Sequence, residues 1–144
     1  MKDLDLAYYA GLFDGEGCVQ ISYSKPKKEG WSGQHTLQCT IAMIDEDCVK
    51  SLLIFGGSVC LKRQGNGNRQ TQWRWNISSN QAKIFLITLL PHLRLKHKQA
   101  KIAIKFQESR IQPQRNQKVS RLEMDKRDWY QQKLKDLKVT RGKW

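Results

Sequence analysis

The chain of 144 residues has the length of one domain, enough to bury a single core. Its 26 Lys and Arg against 13 Asp and Glu leave a net charge of +13 and a pI near 9.8, a balance that suits a polyanionic partner, nucleic acid first and a membrane surface second. No apolar run has the length of a membrane span and no basic-then-apolar leader is found, so a spanning helix and a signal peptide are excluded on this reading and a cytoplasmic location is expected, in a bacterial, phage or organellar interior rather than secreted.

In chain order, Leu4 to Phe13 is apolar and follows Asp3, which predicts a first helix from about Leu4 to Asp14 with Asp3 as N-cap. Ala7, Gly11 and Gly15 recur every fourth residue, a small-residue stripe along which a second helix can approach closely. The segment Asp14-Gly15-Glu16-Gly17 then sets two carboxylates at a helix C-terminus, whose partial charge is already negative, so a positive group from outside the chain is expected there. Val19 to Ser24 alternates apolar with polar, as does Leu37 to Ile41, and the loop Lys25 to Gly30 joins them as a hairpin. Asp45-Glu46-Asp47 caps a second helix, Cys48 to Phe55, closed by Gly56-Gly57. Strand three is Val59 to Arg63 and, after a Gly/Asn turn, strand four is Thr71 to Ile77. Trp73, Trp75 and Ile77 share one face of that strand, so the tryptophans are expected in the core rather than stacked on bases. A third helix, Ser79 to Leu89, is interrupted at Pro91 before a fourth from Lys96 to Glu108.

This order predicts an α+β fold, αββαββα: an antiparallel four-stranded sheet with helices on one face and an additional C-terminal helix. The polar sheet face would carry Gln20, Ser22, Ser24, Thr36, Gln38, Thr40, Lys62, Gln72, Arg74 and Asn76. These side chains match the donors and acceptors of base edges, and the set holds no acid, whereas ordinary solvated faces mix acids in. Residues 94–144 hold 16 basic and 5 acidic side chains, a net of +11, which composition alone leaves open between a solvated face and phosphate contacts. The four cysteines, Cys18, Cys39, Cys48 and Cys60, lack the close pairing of a zinc site and are read as packing residues.

The nine residues Tyr9-Ala10-Gly11-Leu12-Phe13-Asp14-Gly15-Glu16-Gly17 resemble the namesake motif of the LAGLIDADG homing endonucleases, and Leu93-Arg94-Leu95-Lys96-His97-Lys98-Gln99-Ala100 is similar to the family segment that bears a basic active-site residue. The likeness covers about residues 5–106; residues 1–108 are read as the core and 109–144 as a basic extension of the same domain. One motif copy implies a homodimer in which the motif helices meet at a two-fold axis through Ala7, Ala10, Gly11, Asp14 and Gly15, with the two sheets over the major groove of double-stranded DNA. The resemblance further implies a site-specific endonuclease on a long pseudo-palindromic target, cutting both strands across the minor groove to leave short 3′ overhangs. Glu16 and the carbonyl of Gly15 would hold Mg2+, with Mn2+ or Ca2+ able to substitute for binding, while Asp14 is a rival ligand. Lys96 would stabilise charge on the phosphate or orient water, and His97 would make a phosphate or surface contact. Asp45 stands where many relatives have a Gln beside the active site; it either accepts from a catalytic water or caps its helix. The polar sheet face, with Arg63 and Lys98, forms the expected DNA-binding set; no organic cofactor and no membrane are implied. A non-cutting nucleic-acid binder of the same fold, an intron maturase or transcriptional regulator, is the alternative, and a structural basic protein the third reading.

Overall fold

The computed structural model describes residues 1–141, with side chains through residue 138; the end of the basic extension, residues 142–144, lies outside the described residues. The elements run α1 (Asp3–Glu16), β1 (Gly17–Ser24), β2 (Gln34–Met43), α2 (Glu46–Ser51) with a 3-10 turn (Leu52–Phe55), β3 (Ser58–Arg63), β4 (Gln72–Ser78), α3 (Ser79–Leu89) with a 3-10 turn (Leu90–His92), α4 (His97–Ser109) and α5 (Arg121–Arg141). The four strands form one antiparallel sheet in the order β1-β2-β4-β3. The fold is α+β, with the predicted order of elements and the additional helix α5.

Several boundaries differ from the sequence reading. The first helix starts one residue earlier, with Lys2 at the cap position, so Asp3 does not cap it. Asp3 and Asp5 instead lie in the first turn, where the amide ends of the helix favour carboxylates. The same helix continues through Glu16 because Gly17 can turn sharply into β1: a Cβ at Gly17 would come within 2.1 Å of the Phe13 ring and 2.6 Å of the Phe13 carbonyl. Asp45 caps α2, accepting from the Cys48 amide at 2.8 Å. Lys96 is the residue before α4 rather than its first member.

Strand alternation sends Val19, Ile21, Leu37, Cys39, Ile41, Trp75 and Ile77 inward, where all are buried under the helices. Phe85 of α3 is the hub of this layer, with the rings of Phe13, Phe55 and Trp75 at 5.1, 5.0 and 5.0 Å in edge-on arrangements. Trp75 also donates its indole N–H to the Gly56 carbonyl at 2.9 Å, so this tryptophan is core, and Trp73 packs at the margin. The cysteines are free thiols, and burial pushes the Cys39 thiol pKa well up, which keeps it protonated.

The basic extension folds back on the core through α5, whose Leu134 joins the buried cluster. Polar ties hold it along β1 and β2: Gln131 donates to the Ile21 carbonyl at 2.8 Å, and the buried His35 meets Asp128 at 2.7 Å. At its other end the buried Glu123 accepts from the Ile111 amide at 2.9 Å, from Arg127 at 3.1 Å and from Lys126 at 2.6 Å. Arg127, fully buried, extends this network to the Ile111 carbonyl at 2.8 Å. The segment between α4 and α5 lies against the β1–β2 loop, with the Val119 amide donating to Ser32 Oγ at 2.9 Å.

Candidate active site and nucleic-acid interface

The C-terminal end of α1, the start of β1 and the approach to α4 converge on one point. Asp14 is 8 % exposed and its carboxylate is turned into the protein, where Oδ2 accepts from the Arg94 amide at 2.8 Å and Oδ1 from the Lys96 amide at 2.9 Å. The Lys96 side chain, itself 6 % exposed, returns the contact by donating from Nζ to the Asp14 carbonyl at 2.7 Å. An ammonium thus meets an end carbonyl of α1, and a carboxylate meets the amide end of α4; both are the favourable signs for helix termini. At Asp14 the sequence expectation of a positive group from outside the chain does not hold, because the partners come from the chain itself, through the Arg94 and Lys96 amides and the Lys96 ammonium.

Glu16, two residues on, is exposed, and among the described residues its carboxylate takes part in no hydrogen bond or ion pair. Gly15 beside it is exposed, and a Cβ there would meet nothing within 4 Å. Carboxylate and carbonyl oxygens are hard donors that fit Mg2+, but no group of three or more His, Cys, Asp or Glu side chains that could hold a metal occurs among the described residues. Among the described residues the chain thus offers this cation the Glu16 carboxylate and neighbouring carbonyl oxygens, not a cluster of acids. Asp45 lies elsewhere on α1's flank: its charge acts on Tyr8, whose phenol meets Cys48 Sγ at 3.7 Å and is held above its ordinary pKa chiefly by that contact.

The outer face of the sheet comes out in cross-strand rows. Ser24 faces Gln34, Ser22 faces Thr36, Gln20 faces Gln38 with a side-chain hydrogen bond of 3.0 Å, Thr40 lies between Cys18 and Asn76, and Arg74 lies between Ala42 and Cys60. A bulge between Leu61 and Arg63 brings Arg63 opposite Gln72, while the exposed Lys62 sits in the bulge itself. None of these row members is an acid. Because Gly17 pairs with Ile41, the row of Ala42 and Arg74 is the one level with Glu16. The far end of the sheet carries Lys25, Lys27 and Lys28, with the Lys28 ammonium 5.1 Å from the exposed Trp31 ring. Lys98 is exposed in the first turn of α4 and His97 is half-buried beside it.

Leu4, Ala7, Tyr8, Gly11 and Gly15 form an exposed band along α1, and a Cβ at Gly11 would meet open space. A concavity of about 360 Å³ borders it, lined by Ala7, Gly11, Asp14, Pro91, His92 and Arg94. Ala10 departs from the expected interface set: it is 0 % exposed, because its position on the helix turns it into the core, not toward the small-residue band. Among the described residues no helix is long and apolar enough to cross a membrane.

Comparison with known proteins agrees with this geometry. The family described as LAGLIDADG endonuclease matches residues 9–110. Among solved structures, the archaeal intron-encoded homing endonuclease I-Vdi141I complexed with DNA superimposes with a TM-score of 0.75 at 11 % identity, over 95 % of this chain and 86 % of that one. The homing endonuclease I-CvuI in complex with the I-CreI target gives 0.74 at 19 % identity, over 93 % and 82 %. The homing endonuclease I-TnaI gives 0.64 at 18 % identity, over 96 % and 97 %. No curated protein sequence matches at the same stringency. With a family match that spans the nine-residue motif at the end of α1, the whole sheet and the Lys96 segment, the chain belongs to the LAGLIDADG endonuclease family.

Proposed function

We propose that the protein is a site-specific double-strand DNA endonuclease that acts as a homodimer on a long pseudo-palindromic target and hydrolyses phosphodiesters across the minor groove, leaving short 3′ overhangs. The observation that carries this reading is the exposed Glu16 at the edge of an acid-free polar sheet face, with the Lys96 ammonium held at the same helix end. A carboxylate against phosphate is of use to a nuclease that recruits a cation and only repels in a simple binder. Glu16 and the Gly15 carbonyl would hold Mg2+, together with the equivalent carboxylate of a second copy and phosphate oxygens; Mn2+ or Ca2+ would support binding. When bound, the cation supplies Lewis acidity at the phosphate.

The chain's own groups account for the remaining roles. Lys96 brings positive charge to the phosphate or orients water. Arg74, Gln20, Gln38, Gln72, Thr40 and Asn76 read base edges, and Ser22, Ser24, Thr36, Lys62, Arg63 and Lys98 fix register on sugar and phosphate. The exposed band of Ala7, Gly11 and Gly15 supports packing against its own copy, because small side chains allow two helices close approach. Residues 109–144 act as part of the same domain, given the ties of α5 to β1 and β2.

The test begins with duplexes recovered by binding to the protein from a randomised library. Incubated with Mg2+, wild-type protein should cut them to defined products and Glu16→Gln should bind but not cut. Retained binding without cleavage by the wild type would favour the non-cutting binder, and sedimentation of a monomer on the duplex would remove the homodimer.

A further inference from the structure

We infer that Asp14 is a positioning residue: through the Arg94 and Lys96 amides its carboxylate fixes the approach to α4 and so sets where the Lys96 ammonium sits. The inference rests, for its kinetic part, on the endonuclease reading above. Three observations carry it. Both oxygens of a nearly buried carboxylate are used, at 2.8 and 2.9 Å, by two amides that bracket Leu95. Lys96 closes the ring onto the same residue, Nζ to the Asp14 carbonyl at 2.7 Å. The Phe13 ring, 5.9 Å from the ammonium, closes another side of its position.

The sequence spacing makes the arrangement economical in physical terms. Asp14 and Glu16 sit two residues apart near the end of one helix, so their side chains leave it about 200° apart and cannot serve one site in the same way. Asp14 turns into the protein and Glu16 stays outside. The carboxylate that looks like a rival metal ligand is thereby committed to two main-chain donors. Its charge matters as well as its shape, because hydrogen bonds that involve an ionised partner are about twice as strong as neutral ones. A carboxamide at this position would keep the volume but turn one N–H2 group toward a main-chain N–H, leaving that donor unmet.

The experiment compares Asp14→Asn, Lys96→Met and the double variant. Acylation of the folded proteins by acetic anhydride, read by mass spectrometry, reports the ammonium without reference to cutting. Lys96 should label slowly relative to Lys98 in the wild type and several-fold faster in Asp14→Asn. On a selected duplex, Asp14→Asn should lower kcat by about ten- to a hundredfold, the usual cost of a misplaced catalytic group, with the Kd in Ca2+ within about twofold of wild type. The double variant should be no slower than Lys96→Met alone. Unchanged Lys96 labelling, a wild-type kcat, multiplying losses in the double variant, or a loss of binding equal to the loss of kcat would each overturn the inference. If Asp14→Asn is too unstable to assay, Asp14→Ser, which keeps one acceptor, replaces it under the same criteria. Failure of the wild type to cut any selected duplex would count against the endonuclease reading alone, since the labelling result still decides the position of Lys96.

Discussion

At Asp45 the carboxylate takes up the Cys48 amide at the start of α2, and its charge is felt by Tyr8, eight residues before Glu16 and so roughly 12 Å away along α1. Helix capping accounts for this residue by itself. Asp45→Ala should therefore cost about 1 kcal/mol of stability in denaturant unfolding and leave the cleavage rate of a selected duplex unchanged; a variant that folds but no longer cuts would return Asp45 to the active site. Glu16 and Lys96 could be picked out in the sequence because each sits in a motif with its own signature, and the structure brings both to the C-terminal end of α1. The role of Asp14 could not, since its partners lie 80 and 82 positions further along the chain and no local pattern announces them. The burial of Ala10 in the core was not legible for a related reason: it is small like Ala7 and Gly11, but burial depends on where the helix faces the core, which residue size alone does not encode.

The strands were readable because alternation has an unambiguous period: Val19, Ile21, Leu37, Cys39 and Ile41 all turned inward as their spacing required. Helix ends were harder. The second helix tightens into a 3-10 turn after Ser51, and α1 runs two residues past its expected end at Asp14, through Gly15 to Glu16. The seating of α5 was the least legible element, because its anchors are buried polar groups on a helix whose surface is otherwise charged. Glu123 shows how that anchor works. Burial alone would raise its pKa, but hydrogen bonds from Lys126, the Ile111 amide and Arg127 outweigh burial and leave the carboxyl below its ordinary value near 4.5. A depressed folded pKa gives stability that is fully present above the unfolded value and is lost as pH falls through the folded one. The wild type should accordingly lose more stability than Glu123→Gln as pH drops below about 4.5, and the gap between their unfolding midpoints should close there; parallel curves would mean that this ionised network does not hold α5.

On the scale of the whole molecule, the sheet divides the protein into two surfaces of different character. One is an acid-free array of amides, hydroxyls and guanidinium groups in cross-strand rows; the other is the helical layer, where lysines alternate with Asp125, Asp128 and Asp136 along α5. Sequence composition located the charge surplus in the last 51 residues but not on which of these surfaces it falls. The sheet's two outer strands are also treated differently. Beside β1, Gln131 occupies the Ile21 carbonyl and α5 lies along the strand, whereas the opposite margin, β3, is bulged and carries Lys62 and Arg63. Ending the chain before Arg121 would strip the first of these protections and leave a row of unsatisfied main-chain groups that any extended peptide could zip onto. Such a shortened protein should scatter light and bind an amyloid-sensitive dye at concentrations where the intact chain stays clear; a truncated form that remains monodisperse would show that β1 is guarded by something other than its helix.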